Sequence, residues 1–180
     1  GSRKTILEGM ITAVDQGADV ISMSLGGLSL FGSRGLYDQA VNYANANGAI
    51  VVVAAGNSNS DADSYSPANS SGSITVSAVD ENLNRAPFSN TVQNIEKAVA
   101  APGTNILSAF PGNQYETYNG TSMATPHVAG LIAVLRAVQP RLTVDQAYTI
   151  LRDTGMPTGN TQLTGKLIYP AKALERAVSR

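Results

Sequence analysis

Apolar residues recur along the chain at two spacings, one typical of helices and one typical of strands. Helical spacing covers residues 4–17, where Gly17 ends the pattern, and about 35–47. Runs of β-branched or apolar residues follow these helices at 19–25 and 49–55. The second run is apolar without interruption, which predicts a strand buried on both faces of a parallel sheet. Helix, strand, helix and strand with short connections indicate a doubly wound α/β fold.

The second half of the chain continues this pattern with shorter strands, a hairpin and a long apolar helix. The predicted elements are strands at 74–79, 97–101 and 166–169, a hairpin of 106–110 with 115–118, and helices at 123–138, after Thr143 and at 170–178. Apolar residues surround the helix at 123–138 on every side, so we expect it to be buried all round. The whole predicts one domain, residues 1–180, with a mostly parallel sheet and helices on both faces.

Composition limits the classes of function without choosing one. Charged residues make up 14% and the formal net charge is -1, so the charge points neither to nucleic acid nor to an anionic membrane. No apolar run approaches the roughly 18 residues that span a bilayer, so we expect no membrane span. Cysteine is absent, which excludes disulfides and cysteine-ligated metal. The chain opens directly into a helical pattern, and we therefore expect it to be a fragment.

The first candidate catalytic residue lies at the start of the predicted helix at 123–138. Ser122 lies at the positive end of the helix dipole, where free backbone N–H groups stabilise negative charge. Serine is also a common helix cap, so a cap without chemistry is the ordinary interpretation. Ala124 stands where a nucleophile elbow has its last glycine, and Thr125 stands where an S-x-x-K site has its lysine. A nucleophilic serine here therefore needs another kind of motif.

Two segments leave the carboxyl ends of predicted strands, where open α/β sheets bind ligands. They are S-L-G-G at 24–27 and A-A-G-N at 54–57. The Asn57 amide can donate to an oxyanion together with the backbone N–H of Ser122, and losing one such donor costs about 3–4 kcal/mol of barrier. A turn residue at a strand end is the plainer interpretation of Asn57.

The segment G-T-S-M-A-T-P-H-V-A-G at 120–130 resembles the nucleophile motif of the subtilisin-like serine proteases, the subtilases. The resemblance implies a subtilisin-like α/β fold and a serine endopeptidase in which Ser122 is the nucleophile and Asn57 the oxyanion donor. It also implies a polypeptide substrate, a propeptide or inhibitor as partner, and a secreted or extracellular location.

Similarity to the subtilases extends along about residues 5–177. Further segments similar to subtilase landmarks lie at 24–27, 54–57, 66–68, 88–90 and 101–104. The resemblance implies two substrate-binding sets, one that pairs with the peptide backbone by strand addition and one that walls the pocket before the cut: Ser24, Leu25 and Gly26, and Ala54, Ala55 and Gly56.

The rest of a catalytic triad has no match in the sequence. Subtilases order their triad as Asp, His and Ser, in D-T/S-G and H-G-T-H-V-A-G motifs that do not occur here. The single histidine, His127, lies about 140° round the helix from Ser122 and cannot be its base, so we expect a buried structural residue. We therefore expect an N-terminal segment of the same protease domain to supply Asp and His. The chain alone should be nearly inert.

Calcium is the one cofactor that the resemblance raises. Several subtilases bind structural Ca²⁺ in loops like 65–70 and 94–98. Ala98 stands where a calcium-ligating Asp is common in these proteases. Glu96 alone supplies too few oxygen ligands for an ion that takes six or more. The sequence thus predicts no metal site and no required cofactor, with structural calcium left as an alternative.

Three functions fit the sequence. The chain is a serine endopeptidase fragment, a non-catalytic peptide-binding subtilase homologue or subunit, or a hydrolase completed by another chain. A protease that has lost its activity has no reason to keep both Ser122 and Asn57, and this favours the endopeptidase fragment. The missing base favours the non-catalytic homologue or subunit. An incomplete sheet would expose an edge and a helix face, so we also expect self-association or a bound partner.

Overall fold

The computed structural model describes residues 2–30 and 33–179, and a parallel sheet forms its centre. The strands are β1 (Val20–Met23), β2 (Gly27–Leu28), β3 (Ile50–Ala54), β4 (Tyr65–Ser66), β5 (Ile74–Val79), β6 (Ala98–Pro102), β7 (Ile106–Phe110), β8 (Gln114–Tyr118) and β9 (Lys166–Leu167). The helices are α1 (Arg3–Asp15), α2 (Ser33–Ala46), α3 (Thr121–Val138), α4 (Val144–Thr154), α5 (Thr161–Thr164) and α6 (Pro170–Val178). The sheet runs in the order β1-β3-β5-β6-β9 with every pair parallel. The predicted doubly wound α/β fold is confirmed.

Strand β3 shows how the two layers of core arise. All of its residues are buried, and their side chains alternate between the two faces of the sheet. Val51 and Val53 pack with buried residues of α1 and α2, whereas Ile50 and Val52 pack with those of α3, α4 and α6. Each fully buried side chain of this kind contributes about 1.5–3 kcal/mol. The uninterrupted apolar run of the sequence therefore serves both layers at once.

Short elements occupy places where the sequence predicted loops. Strand β2 pairs antiparallel with β4, with Gly27 opposite Ser66 and Leu28 opposite Tyr65. Helix α5 is a single turn that begins at the cap Asn160. Elements of two to four residues are too short to show a period, which is why the pattern missed them.

Helix α3 is buried on one side only. It packs on β1, β3, β5 and β6, and the side chains toward the sheet, such as Val128, Ile132 and Leu135, are buried. The residues on its other side are exposed in the described chain: Pro126, His127, Gly130, Ala133, Val134, Ala137 and Val138. The prediction of a helix buried all round is therefore wrong for this structure. An apolar pattern cannot distinguish a covered helix face from an open one.

By length and composition, α3 is also the one helix among the described residues that could cross a membrane. The sequence had suggested no such run. Its last turn carries Arg136, whose Nη2 lies 2.7 Å from Asp19 Oδ1, and its inner side packs on the sheet. This packing identifies α3 as the core helix of the domain.

Strand β1 forms an edge of the sheet, and α3, which packs on β1, is exposed on the side that faces away from the sheet. Within residues 2–30 and 33–179, β1 pairs with β3 on one side and with no strand on the other. We call this edge and the exposed side of α3 together the open face. Free strand edges and contiguous exposed apolar residues both favour association with another polypeptide.

Candidate active site

The loop before α3 determines where the helix begins. Gly120 N donates to Gly103 O at 2.8 Å. A Cβ on Gly103 would overlap the Cβ of Ala78 in β5 and lie 2.9 Å from Gly120 O, so only glycine fits there. The A-P-G-T segment at 101–104 thereby positions the first turn of α3, which carries Ser122.

The side chain of Asn57 is held with its amide nitrogen free. Its Oδ1 accepts from both Thr121 N and Thr121 Oγ1, each at 2.9 Å, and the Thr121 hydroxyl in turn accepts from Gly56 N at 3.2 Å. Since the oxygen is occupied, the Nδ2 group can donate elsewhere. Thr121 is fully buried, so this arrangement is shielded from solvent on that side.

Two donors border the space beside Gly120. A Cβ placed on Gly120 would lie 3.5 Å from Asn57 Nδ2 and 3.6 Å from Ser122 N. Ser122 N lies in the first turn of α3, and no acceptor among the described residues takes its hydrogen bond. An amide N–H₂ and a helix N-terminal N–H therefore face one small space next to the Ser122 side chain.

The loop that carries Asn57 is organised by Asn90. The Asn90 side chain is fully buried, its Nδ2 donates to Ala55 O at 2.9 Å, and its Oδ1 accepts from Ser58 N and Ser60 N at 2.9 and 3.1 Å. Gly56 has φ +101°, and a Cβ there would lie 2.5 Å from Asn90 Nδ2. These bonds fix the backbone on both sides of Asn57.

A cavity of about 330 Å³ opens beside these groups. It brings together most of the residues that the sequence proposed for the site: Leu25, Gly26, Ala54, Ala55, Gly56, Asn57 and Ser122. Tyr65 and Ala68 also line it, and no Asp, Glu, Lys, Arg or His is among its described lining residues. The cavity suits an uncharged side chain.

Ser24 lies outside the cavity lining but contacts the backbone of Ser122. Its Oγ donates to Ser122 O at 2.8 Å, linking the end of β1 to the start of α3. The backbone N–H and C=O groups of Leu25 and Gly26 have no hydrogen-bond partner within the described part of the chain. Such free groups can pair with an extended peptide.

No general base contacts Ser122 within the described residues. No His, Lys, Asp or Glu side chain there hydrogen-bonds its Oγ. His127 Nδ1 lies 2.9 Å from Met123 O of its own helix, and the ring is exposed. The prediction of a buried histidine is therefore wrong, because His127 lies on the open face. Ser122, Met123, Pro126 and His127 border a second depression, of about 370 Å³, that is open at this face.

The resemblance left calcium open at the loops 65–70 and 94–98, and residues of both loops lie close together in the structure. They border a cavity of only about 70 Å³ that Lys97 also lines. Lys97 Nζ lies 2.9 Å from Glu96 Oε1 and 3.2 Å from Asp145 Oδ1, so its ammonium is already paired with both of these carboxylates. Within the described chain no cluster of three His, Asp or Glu residues could hold a metal.

Two residues of the site carried no sequence signal for their roles. Thr121 had appeared only as part of the nucleophile motif, and Asn90 only as part of F-S-N at 88–90. Both act across 32 to 65 residues of chain, on Gly56, Asn57 or Ser58. Contacts at that separation cannot be read from local spacing.

The fold and this site define an α/β protein with a serine at a helix N-terminus, where the backbone N–H of the serine and the side-chain amide of Asn57, beyond the carboxyl end of β3, border one space. The subtilase family model matches residues 1–170, and the chain belongs to the subtilase family. It is 43% identical over 176 residues to subtilisin DY from Bacillus licheniformis, covering 96% of this chain and 62% of that protein.

Other relatives are similar over nearly the whole chain. M-protease from Shouchella clausii is 39% identical over 176 residues, covering 98% of this chain and 45% of that protein. A solved structure described as proteases from Pseudoalteromonas arctica PAMC 21717 superposes with a TM-score of 0.88 at 34% identity, covering 98% of this chain and 59% of that one. The chain therefore spans less than two thirds of the length of these relatives.

Proposed function

We propose that this chain is the nucleophile-bearing part of a serine endopeptidase that hydrolyses peptide bonds through an acyl-enzyme on Ser122. The observation that carries the proposal is the fixed orientation of Asn57, whose Oδ1 is occupied by Thr121 and whose Nδ2 borders the same space as Ser122 N. Donors held in advance where negative charge develops are the largest single contribution in many acyl-transfer enzymes.

The chemistry follows from these positions. Ser122 Oγ attacks the peptide carbonyl carbon while its proton passes to a base, and the carbonyl oxygen becomes an oxyanion that accepts from Asn57 Nδ2 and Ser122 N. The tetrahedral intermediate expels the amine, which takes the proton back, and water then hydrolyses the ester by the same route. Asn57 and Ser122 N act in both steps.

The substrate in this proposal is an extended polypeptide. The free backbone groups of Leu25 and Gly26 pair with it as an added strand, while Ser24 supports Ser122. The side chain before the cut enters the cavity walled by Ala54, Ala55 and Gly56. Because the described lining carries no charge, we expect an uncharged residue there.

The base and its orienting carboxylate come, in this proposal, from polypeptide outside these 180 residues. The depression beside Ser122 opens on the open face, where an added segment would bring a histidine next to the Ser122 hydroxyl. A propeptide or inhibitor that occupies the cleft is a further expected partner. Without the added segment the chain should retain binding and oxyanion stabilisation but lose several orders of magnitude in rate.

A non-catalytic peptide-binding function is the second candidate. The observation that favours it is the lack, among described residues, of any side chain hydrogen-bonded to Ser122 Oγ. Both candidates use the same cleft, and they differ in whether Ser122 ever becomes reactive.

Labelling with a fluorophosphonate serine probe separates the two candidates. The chain is tested alone and after addition of a polypeptide with the D-T-G and H-G-T-H segments of a related protease. We expect Ser122 to be labelled only after addition. Ser122→Ala should abolish labelling, whereas the matched change Ser58→Ala, at another serine of the cavity, should preserve it.

The remaining outcomes are equally informative. Labelling of the chain alone would identify a base that the proposal lacks. No labelling in either condition, with peptide binding intact, would favour the non-catalytic function.

A further inference from the structure

A second cavity also borders the segment that is proposed to bind the peptide backbone. Its volume is about 370 Å³, and it shares Leu25, Gly26 and Gly27 with the cavity beside Ser122. An extended peptide sends alternate side chains to opposite faces, so one bound peptide can place side chains in both cavities. The second cavity can therefore hold the side chain of another residue of the same peptide.

Its lining combines apolar side chains, the hydroxyl groups of Ser33, Tyr37 and Ser66, and one charged side chain. Ile6 and Leu28 line it together with Leu25, whereas the only fully charged side chain among its described lining residues is Arg3. Arg3 lies in the first turn of α1, which contains no acidic residue, and the helix N-terminus adds positive potential. A negative group entering here would meet positive charge and no opposing carboxylate of the lining.

Among the described residues, Arg3 has no carboxylate partner, whereas the basic side chains of Lys4 and Arg34 do. Lys4 pairs with Glu8 at 3.7 Å, and Arg34 pairs with Asp38 and Asp63 at 3.8 and 3.4 Å. Within residues 2–30 and 33–179, Arg3 forms no ion pair. Its charge is thus free to select a ligand.

Tyr37 supplies a second polar group to the same cavity. Its side chain is buried, which raises the pKa of the phenol, while the Arg3 charge acts in the opposite direction. The phenol therefore stays protonated at neutral pH, and its O–H has no hydrogen-bond partner in the described chain. Arg3 and Tyr37 together offer donors to one acceptor.

We propose that this second cavity selects a peptide side chain ending in a carboxylate, with Arg3 as the residue that determines the preference. The methylene groups of a glutamate would pack on Ile6, Leu25 and Leu28, and its carboxylate would reach the guanidinium. This inference rests on the peptide cleft proposed above and adds its charge preference: an uncharged residue beside Ser122 and an acidic residue in the second cavity.

Peptide binding to the chain itself tests the inference without any catalytic activity. Hexapeptides with blocked ends and neutral residues carry Glu, or its isostere Gln, at each position in turn, and binding is followed by fluorescence anisotropy at low salt. We expect one position at which Glu binds about three- to tenfold more tightly than Gln. The ratio should decrease as salt is added.

Variants locate the source of the preference. Arg3→Gln should bring the Glu/Gln ratio to about one, and Arg3→Glu should reverse it, so that the Gln peptide binds more tightly than the Glu peptide. Lys4→Gln removes the same charge from the adjacent residue, which does not line the cavity, and should leave the ratio unchanged.

Other binding results would refute either the role of Arg3 or the proposed peptide cleft. Equal binding of Glu and Gln peptides at every position, or a ratio that survives Arg3→Gln, refutes the role of Arg3. A ratio lost equally in Lys4→Gln means that only overall charge matters, which also refutes it. Failure of every peptide to bind refutes the cleft of the proposed function, and this inference with it.

Discussion

The buried hydroxyl of Thr121 and the backbone N–H of the same residue together orient the side chain of Asn57, the candidate oxyanion donor. Thr121 Oγ1 donates to Asn57 Oδ1 and accepts from Gly56 N, so it joins the Asn57 side chain to the backbone beside it. Asn57 itself is exposed, and its amide could otherwise rotate to present oxygen instead of nitrogen. The aim of the donor is therefore a property of Thr121 as much as of Asn57.

Thr121→Val tests this dependence in the enzyme completed by its base-bearing segment. We expect kcat to decrease about tenfold with little change in KM, because only transition-state binding weakens. Asn57→Ala should cost more, about 100- to 1000-fold in kcat. Steady-state kinetics on one peptide substrate compares the two.

Thr125→Val is the matched control for the loss of a buried threonine hydroxyl. Thr125 is also fully buried and donates to Thr121 O at 2.8 Å, one turn further along α3. It should lower stability to a similar extent and leave kcat nearly unchanged. Equal losses of kcat in the two variants would show that Thr121 acts through folding alone.

For individual residues, the sequence predicted which side chains form the site better than it predicted how exposed each side chain is. Ser122, Asn57 and the wall residues 54–56 do line one cavity, because short motifs at strand ends converge at one edge of a parallel sheet. The environment of His127 was not predictable, since exposure depends on what covers α3 and not on the residue's own motif.

Between elements, Lys97 joins the start of β6 to the start of α4. Its side chain is 11% exposed and contacts Glu96 on its own segment and Asp145 in the first turn of α4. Burial lowers the pKa of this ammonium, but the hydrogen bonds with Glu96 and Asp145 outweigh it and raise the pKa above 10.5. We propose that this internal cation makes calcium unnecessary here.

Lys97→Met should lower the free energy of unfolding by about 1 kcal/mol at neutral pH. A pKa raised on folding means that the stabilisation is fully present below the unfolded pKa and is lost as pH rises through the folded pKa. The wild-type advantage should therefore be constant from about pH 7 to 9 and decrease above 10.5. Urea unfolding at several pH values measures it.

Two controls accompany this measurement. Lys4→Met removes an exposed lysine whose pair with Glu8 lies on the surface, and it should change stability by less than about 0.5 kcal/mol. Calcium and a chelator should leave the unfolding midpoint of the wild type unchanged. A midpoint that rises with calcium would contradict the proposal that Lys97 replaces the ion.

Over the whole molecule, the open face is the largest departure from a self-sufficient fold. The mostly parallel sheet and the two helical layers were predictable because each layer needs an apolar face and β3 supplies both. The exposure of one side of α3 was not predictable, because the residues on that side are as apolar as those that face the sheet. The β2–β4 pair escaped prediction because two residues per strand carry no period.

Val134→Lys tests what the open face does in the isolated chain. Val134 is 48% exposed at the middle of the exposed side of α3, and we expect the wild-type chain to self-associate there at micromolar concentration. Lysine should shift the sedimentation profile toward monomer, because pairing would bury its charge. Leu36→Lys, at a similarly exposed residue of α2 in the other helical layer, should not. A wild-type chain that sediments as a monodisperse monomer would contradict the expectation.

The contacts that assemble the site join residues distant along the chain. Ser24 meets Ser122 across 98 positions, and Gly56 and Asn57 meet Thr121 across 65 and 64. No short stretch of sequence can build the cleft by itself, so the cleft is present only in molecules whose sheet and core helix are already together. Ligand affinity is thus a direct gauge of the folded population. In the proposed enzyme, a partly unfolded molecule would therefore be open to cleavage but would itself be unable to cleave its neighbours.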